Sequence, residues 1–151
     1  MTVGQFVFML HSHLPYYRKA GMWPFGEENL YECMAETYVP LLNAISELYD
    51  DEGIKAKLTV GITPILAEQL NDEHLQNGFI EYLDARITAI SKDLERYPDP
   101  EVAHSQHLKY LAKYYFDWFN HIKDSFINKY NKDLISAFKK YQDLGCIEIT
   151  T

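Results

Sequence analysis

A chain of 151 residues, 47% hydrophobic and 15% aromatic, is long and apolar enough to bury one real core, which excludes intrinsic disorder. Its 22 acidic against 14 basic residues give a formal charge of −8, the wrong sign for gripping nucleic-acid phosphates or docking on an anionic membrane. No apolar run approaches the roughly 20 residues of a membrane span, no basic leader precedes the first apolar run, and two distant cysteines, Cys33 and Cys146, show neither metal spacing nor a disulfide framework and fit a reducing cytoplasm.

The first predicted strand is the continuous apolar run Phe6-Val7-Phe8-Met9-Leu10. A run without alternation predicts a strand covered on both faces, as in a parallel α/β sheet. It leads into His11-Ser12-His13-Leu14-Pro15-Tyr16-Tyr17-Arg18. Side chains alternate along extended backbone, so His11 and His13 are expected to point the same way. In parallel α/β folds, ligands gather at the carboxyl ends of the strands. Taken singly, each histidine reads as an ordinary hydrogen-bonded residue. The pair, at a strand's carboxyl end and before an aromatic-rich loop, reads as a site.

The loop from Tyr16 to Glu27 is punctuated by Gly21, Pro24 and Gly26. Trp23 within it either offers a flat face to a sugar ring or plugs the core. A helix is predicted over Glu27–Tyr49, with Glu27, Glu28 and Glu32 near its dipole-positive start and Leu30, Met34, Tyr38, Leu41, Leu42 and Ile45 as its apolar stripe. Pro40 predicts a kink or break near Val39.

A second strand is predicted at Ala56–Ile62. Thr63-Pro64 then reads as an N-cap and first-turn proline opening a short helix to Leu70. Asp72 caps a further helix with Leu75, Phe79, Leu83, Ile87 and Ile90 at helical spacing. Pro98 and Pro100 predict a break. A long helix follows, His104–Tyr130, striped by Leu108, Leu111, Tyr115, Trp118, Phe119, Ile122 and Phe126. His104 and His107 stand three apart with no third ligand beside them, and they and His121 read as surface or packing residues. The last helix, Asn131–Leu144, ends at Gly145, and Cys146–Thr151 reads as a third strand.

The strand–helix alternation predicts an α/β fold with three parallel strands and a long helical insertion between the second and third. An incomplete sheet that stops on a strand predicts residues 1–151 to be the N-terminal portion of one larger (β/α)-barrel domain; an intact 151-residue domain is the alternative.

Three stretches carry a resemblance. His11-Ser12-His13-Leu14-Pro15-Tyr16, Gly21-Met22-Trp23-Pro24-Phe25-Gly26-Glu27-Glu28 and Glu36-Thr37-Tyr38-Val39-Pro40-Leu41-Leu42 resemble the start of glycoside hydrolase family 57, and within it the 1,4-α-glucan branching enzymes. Thr59–Leu66 and Gly145–Thr150 continue the likeness; Asn29 departs from it, standing where relatives often carry a tryptophan. The resemblance implies an incomplete, TIM-like (β/α)7 barrel and retaining cleavage or transfer of α-glucans, by a glutamate nucleophile and an aspartate acid/base about 5 Å apart. Both family carboxylates lie beyond the third strand, so no catalytic residue is assigned within this chain, and the segment alone is expected to be inactive. What carries over is substrate binding: His11 and His13 at the sugar-binding floor, Trp23 stacking on glucose, and Tyr16 with Arg18 shaping the rim. No metal or organic cofactor is implied. The implied partners are an α-1,4-glucan and the remainder of its own barrel.

A family-related α-amylase or 4-α-glucanotransferase differs only in the acceptor of the second half-reaction. A metal-dependent hydrolase using His11 and His13 as nitrogen ligands is the reading from another class. A non-catalytic glucan-binding segment is the third.

Overall fold

The computed structural model describes residues 4, 6–97 and 103–151. The break predicted at Pro98 and Pro100 lies outside the described residues. Three strands, β1 (Met9–Ser12), β2 (Leu58–Ile62) and β3 (Ile147–Thr150), form one parallel sheet in the order β1-β2-β3. Parallel neighbours demand crossover connections. These are helical: α1 (Glu27–Cys33) and α2 (Val39–Ser46) join β1 to β2. Four helices, α3 (Pro64–Leu70), α4 (Glu73–Arg96), α5 (Ser105–Asp124) and α6 (Leu134–Asp143), join β2 to β3.

The register decides which faces the strands cover. Leu10 pairs with Val60 and Val60 with Ile149; His11 pairs with Gly61 and Gly61 with Thr150. Because side chains alternate, Leu10, Ser12, Val60, Ile62, Ile147 and Ile149 share the face under the helices. Val60, Ile62 and Ile147 there are buried together with Leu30, Met34, Leu42, Leu66, Phe79 and Phe138. Each such fully buried side chain contributes about 1.5–3 kcal/mol of transfer free energy. Met9, His11, Thr59, Gly61, Glu148 and Thr150 share the opposite face, which no helix among the described residues covers.

The first strand therefore departs from expectation. Phe6 is 87% exposed, and Val7, Phe8 and Met9 are exposed as well. The strand opens at Met9, where pairing with Thr59 begins, and continues through His11 and Ser12. Continuous apolar character predicts cover on both faces, which the described residues do not supply to Phe6–Met9. In this chain β1 is the edge of the sheet, and only its Leu10–Ser12 side meets helices.

The Glu27–Tyr49 prediction holds as a continuous helical run, but Pro40 does not break it. A π-helical turn, Met34–Tyr38, stands just ahead, and the Val39 amide donates to the Met34 carbonyl five residues back. Proline has no N–H to give, and its ring crowds the carbonyl four residues earlier, here Glu36. Widening the turn is one known way to absorb that conflict. A second π-helical turn, Glu47–Asp51, ends the run.

The predicted caps are in place. The Thr63 hydroxyl accepts from the Leu66 amide at 3.4 Å with Pro64 in the first turn. The Asp72 carboxylate accepts from the Leu75 amide at 3.1 Å. Gly145 takes the left-handed conformation, φ +70°, that closes α6. Two predicted stretches shift. α5 packs along α4 and continues into a π-helical turn, Ser125–Lys129, burying Ala112, Ile122 and Phe126 while Leu111 and Tyr115 stay exposed. Asn131 and Lys132 both have positive φ, so α6 starts at Leu134 and not at Asn131.

Candidate functional site

The carboxyl ends of the strands carry the candidate site. His11 is the third residue of β1, and its register partner is Gly61. A β-carbon on Gly61 would lie 3.5 Å from His11 Nδ1, so the glycine leaves the imidazole lying over bare backbone. His13 follows one pleat later. The two rings stand 6.4 Å apart between centroids and 32° from coplanar, and both are exposed on the open face. Side by side, neutral imidazoles each offer one donor and one acceptor, which suits vicinal hydroxyl groups.

Beyond Ser12 the chain leaves the ladder, because β2 turns into α3 at Thr63-Pro64. Side chains from the α3–α4 region then take over the role of the missing strand. Gln69, fully buried, accepts from the Tyr17 amide at 2.6 Å through Oε1 and donates through Nε2 to the Pro15 carbonyl at 3.0 Å. Arg18 Nε donates to Asp72 Oδ2 at 2.5 Å. Arg18, expected at the rim, is thus turned to the helix junction. Lys19, at φ +62°, donates its amide to Glu27 Oε1 at 2.8 Å. The Glu27 and Glu28 amides close the loop by donating to the Gly21 and Met22 carbonyls. A β-carbon on Gly26 would overlap the Gly21 carbonyl, which is why glycine stands there.

Glu27 is the loop's electrostatic node. It is 7% exposed and also meets Tyr31 Oη at 3.1 Å and His74 Nε2 at 3.0 Å. Burial works to raise its pKa, but the Lys19 amide, His74 and the Tyr31 hydroxyl outweigh it and hold the carboxyl below its ordinary 4.5. Burial raises the Tyr31 phenol, and the adjacent Glu27 charge adds to it. Asp72 is likewise held below its ordinary value: burial opposes, but the Leu75 amide and Arg18 prevail.

Of the residues singled out in the sequence, His11 and His13 are brought together. Tyr16 and Trp23 stand on the pinned loop, 57% and 78% exposed, and among the described residues neither packs on another aromatic ring. Trp23 is therefore not a core plug. Among the described residues no group of three or more His, Cys, Asp or Glu could hold a metal ion, so His11 and His13 have no third such ligand here. His104 caps α5 with φ +60°, His107 lies 6.4 Å from the Tyr110 ring, and His121 Nε2 lies 3.2 Å from Asn43 Nδ2. Grooves of about 390 Å³, beside Asp50 and Tyr141, and about 520 Å³, between α4 and α5, are both lined without the histidine pair.

Sequence reasoning did not single out Gln69, or the role of Glu27 beyond the helix start. Their partners lie 52 positions away for Gln69–Tyr17 and 47 for Glu27–His74. Glu148 and Thr150, which share the open face with His11, were also missed; once the strands are aligned, alternation alone finds them.

The chain is similar to known proteins along most of its length. The model of glycosyl hydrolase family 57 matches residues 7–151. A 1,4-alpha-glucan branching enzyme of Thermococcus kodakarensis is 39% identical over 148 residues, 98% of this chain but 20% of that protein. A probable 1,4-alpha-glucan branching enzyme of Mycobacterium tuberculosis is 40% identical over 80 residues, 53% of this chain and 15% of its own. Among solved structures, a branching enzyme from Pyrococcus horikoshii superposes with a TM-score of 0.86 at 35% identity, over 96% of this chain and 26% of that one. The alpha-amylase AmyC of Thermotoga maritima follows at 0.78 and 33%, again over 96% and 26%. The chain spans a fifth to a quarter of the length of the relatives it matches throughout.

Proposed function

The chain belongs to glycosyl hydrolase family 57, and from that premise we propose that it is the N-terminal portion of the catalytic barrel of an α-glucan branching enzyme. The observation that carries this reading is the 39% identity to a branching enzyme over 98% of the chain, helical insertion included. An α-amylase or 4-α-glucanotransferase of the same family would share the first half-reaction.

In this reading the open face of the sheet, with Met9, His11, Thr59, Glu148 and Thr150, is part of the barrel interior, and further strands of the same protein cover it. His11 and His13 hydrogen-bond glucose hydroxyls at the cleft floor. Trp23 stacks on a sugar ring from the loop, and Tyr16 borders it. Stacking uses the ring face that the exposed indole leaves free. The nucleophile and the acid/base come from chain beyond the third strand. They cut an α-1,4 bond, hold the glucan covalently, and transfer it to a 6-hydroxyl with retention. No cofactor enters that chemistry. The free thiols of Cys33 and Cys146 suit a cytoplasmic enzyme. No helix among the described residues is long and apolar enough to cross a membrane.

The test is the full-length enzyme acting on amylose, followed by proton NMR of the product. New α-1,6 linkages without a matching rise in reducing ends are expected. A rise in reducing ends with no α-1,6 signal would replace branching by hydrolysis. Residues 1–151 alone are expected to leave amylose unchanged, and branching by that segment would overturn the assignment of the carboxylates.

A further inference from the structure

We propose that Gln69 is a positioning residue for substrate binding and that it acts through Tyr16; this rests on the reading of Tyr16 as a sugar contact. Gln69 is fully buried in α3, and its side-chain hydrogen bonds go to the backbone of the loop. Its side-chain amide bonds the two backbone groups that flank Tyr16. Oε1 accepts from the Tyr17 amide at 2.6 Å, and Nε2 donates to the Pro15 carbonyl at 3.0 Å.

An amide that accepts on one side of a residue and donates on the other does what a neighbouring strand does in a ladder. Both backbone groups of that edge are directed at Gln69, and the Tyr16 side chain, which takes no part in those bonds, is 57% exposed. The ladder between β1 and β2 ends at the Ser12–Ile62 pair; beyond it Leu14 and Tyr17 pack against the core, and Gln69 bonds the backbone on either side of Tyr16.

The far limb of the loop has its own anchors, Arg18 on Asp72 and the Lys19 amide on Glu27. Loosening Gln69 therefore frees Tyr16 locally without releasing Trp23. A ring held in place before the ligand arrives binds with a smaller ordering cost. The loss on freeing it belongs in KM and not in the chemical step.

The test uses the full-length enzyme on amylose with Gln69→Met, Gln69→Glu, Tyr16→Ala and the double variant Gln69→Met/Tyr16→Ala. Methionine keeps the length and loses both hydrogen bonds; glutamate keeps the acceptor for Tyr17 alone. We expect Gln69→Met to raise KM about tenfold with kcat within about twofold, and Gln69→Glu to raise it at least as much, because a carboxylate oxygen would then face the Pro15 carbonyl with no proton between them. In the Tyr16→Ala background, Gln69→Met is expected to add less than about twofold. Fully additive losses would overturn the proposal, and so would an unchanged KM for Gln69→Met where Tyr16→Ala raises it. An unchanged KM for Tyr16→Ala sinks the sugar-contact reading itself and the Gln69 role with it. Should Gln69→Met not fold, amide exchange in the parent enzyme decides: protection of the Tyr17 amide is expected, and exchange at the rate of an open loop would overturn the role.

Discussion

The hydroxyl of Tyr31 occupies the place where a β-carbon on Gly78 would stand. An alanine there would collide with the hydroxyl and press on Cζ at 2.8 Å. Tyr31 is fully buried, and its hydroxyl is tied to Glu27 at 3.1 Å, so the ring has little freedom to withdraw. Gly78 lies inside α4, where alanine ordinarily gains about 1 kcal/mol over glycine. Overpacking costs about 1–3 kcal/mol. We expect overpacking to win, with Gly78→Ala lowering the thermal midpoint of the protein. In a Tyr31→Phe background the penalty should shrink, because the colliding atom is gone. A midpoint raised by Gly78→Ala alone would show that the ring moves aside.

Glu27 makes the loop's stability sensitive to acid, and the sign follows from its depressed pKa. A carboxyl held below its ordinary 4.5 stabilises the fold fully above that value. The contribution is lost as pH falls from 4.5 through the lower folded value. Glu27→Gln should therefore lower the melting midpoint most above about pH 5.5, and the gap to the parent should close in acid. A gap that stayed constant from neutral pH down to about pH 3 would mean that the Glu27 charge carries no part of the fastening.

What the sequence made legible was local. Thr63, Asp72 and Gly145 were readable as caps because each meets a partner within a few positions on its own helix. Pro40 announced a deformation, but a proline states only which hydrogen bond is missing; a widened turn at Met34–Tyr38, with Met34, Ala35 and Tyr38 buried, stands where a break was expected. Apolar character at Phe6–Leu10 does not say what covers the run; within the described residues Phe6 to Met9 are exposed and Leu10 is half-buried. The exposure of Leu111 and Tyr115 on α5 has the same origin, since periodicity assigns a face but not the length over which a partner follows it. At the candidate site the His11–His13 pair needed only alternation to be seen. The fastening of the loop by Gln69 and Glu27 needed the fold.

The roles proposed for His11 and Trp23 are tested by kinetics at matched stability, since among the described residues both side chains are exposed. His11→Ala in the full-length enzyme should lower kcat/KM by about 10–100-fold, the value of one to two hydrogen bonds to a bound sugar. Trp23→Ala should cost about tenfold, chiefly in KM, through the lost stacking face. Trp23 is 78% exposed, so its removal should leave the thermal midpoint nearly unchanged. Unchanged kinetics at matched stability for both variants would remove this face from the substrate path.

Asn43 offers the last test, on the joint between α2 and the turn after α5. It is buried, donates through Nδ2 to Ser125 Oγ at 3.0 Å, and accepts from Tyr130 Oη at 2.7 Å. Burial of the Tyr130 phenol pushes its pKa up to about 12, so the hydroxyl stays a donor throughout the physiological range. Removing one partner strands the other without water, at about 1–3 kcal/mol for each unsatisfied group. Asn43→Ala and Tyr130→Phe should each destabilise by about that amount. The double variant should cost less than the sum, because neither member is then left waiting for the other. Strict additivity, read as thermal midpoints of the two singles and the double, would mean that Asn43 and Tyr130 act separately and that the joint is held by apolar packing around Phe126.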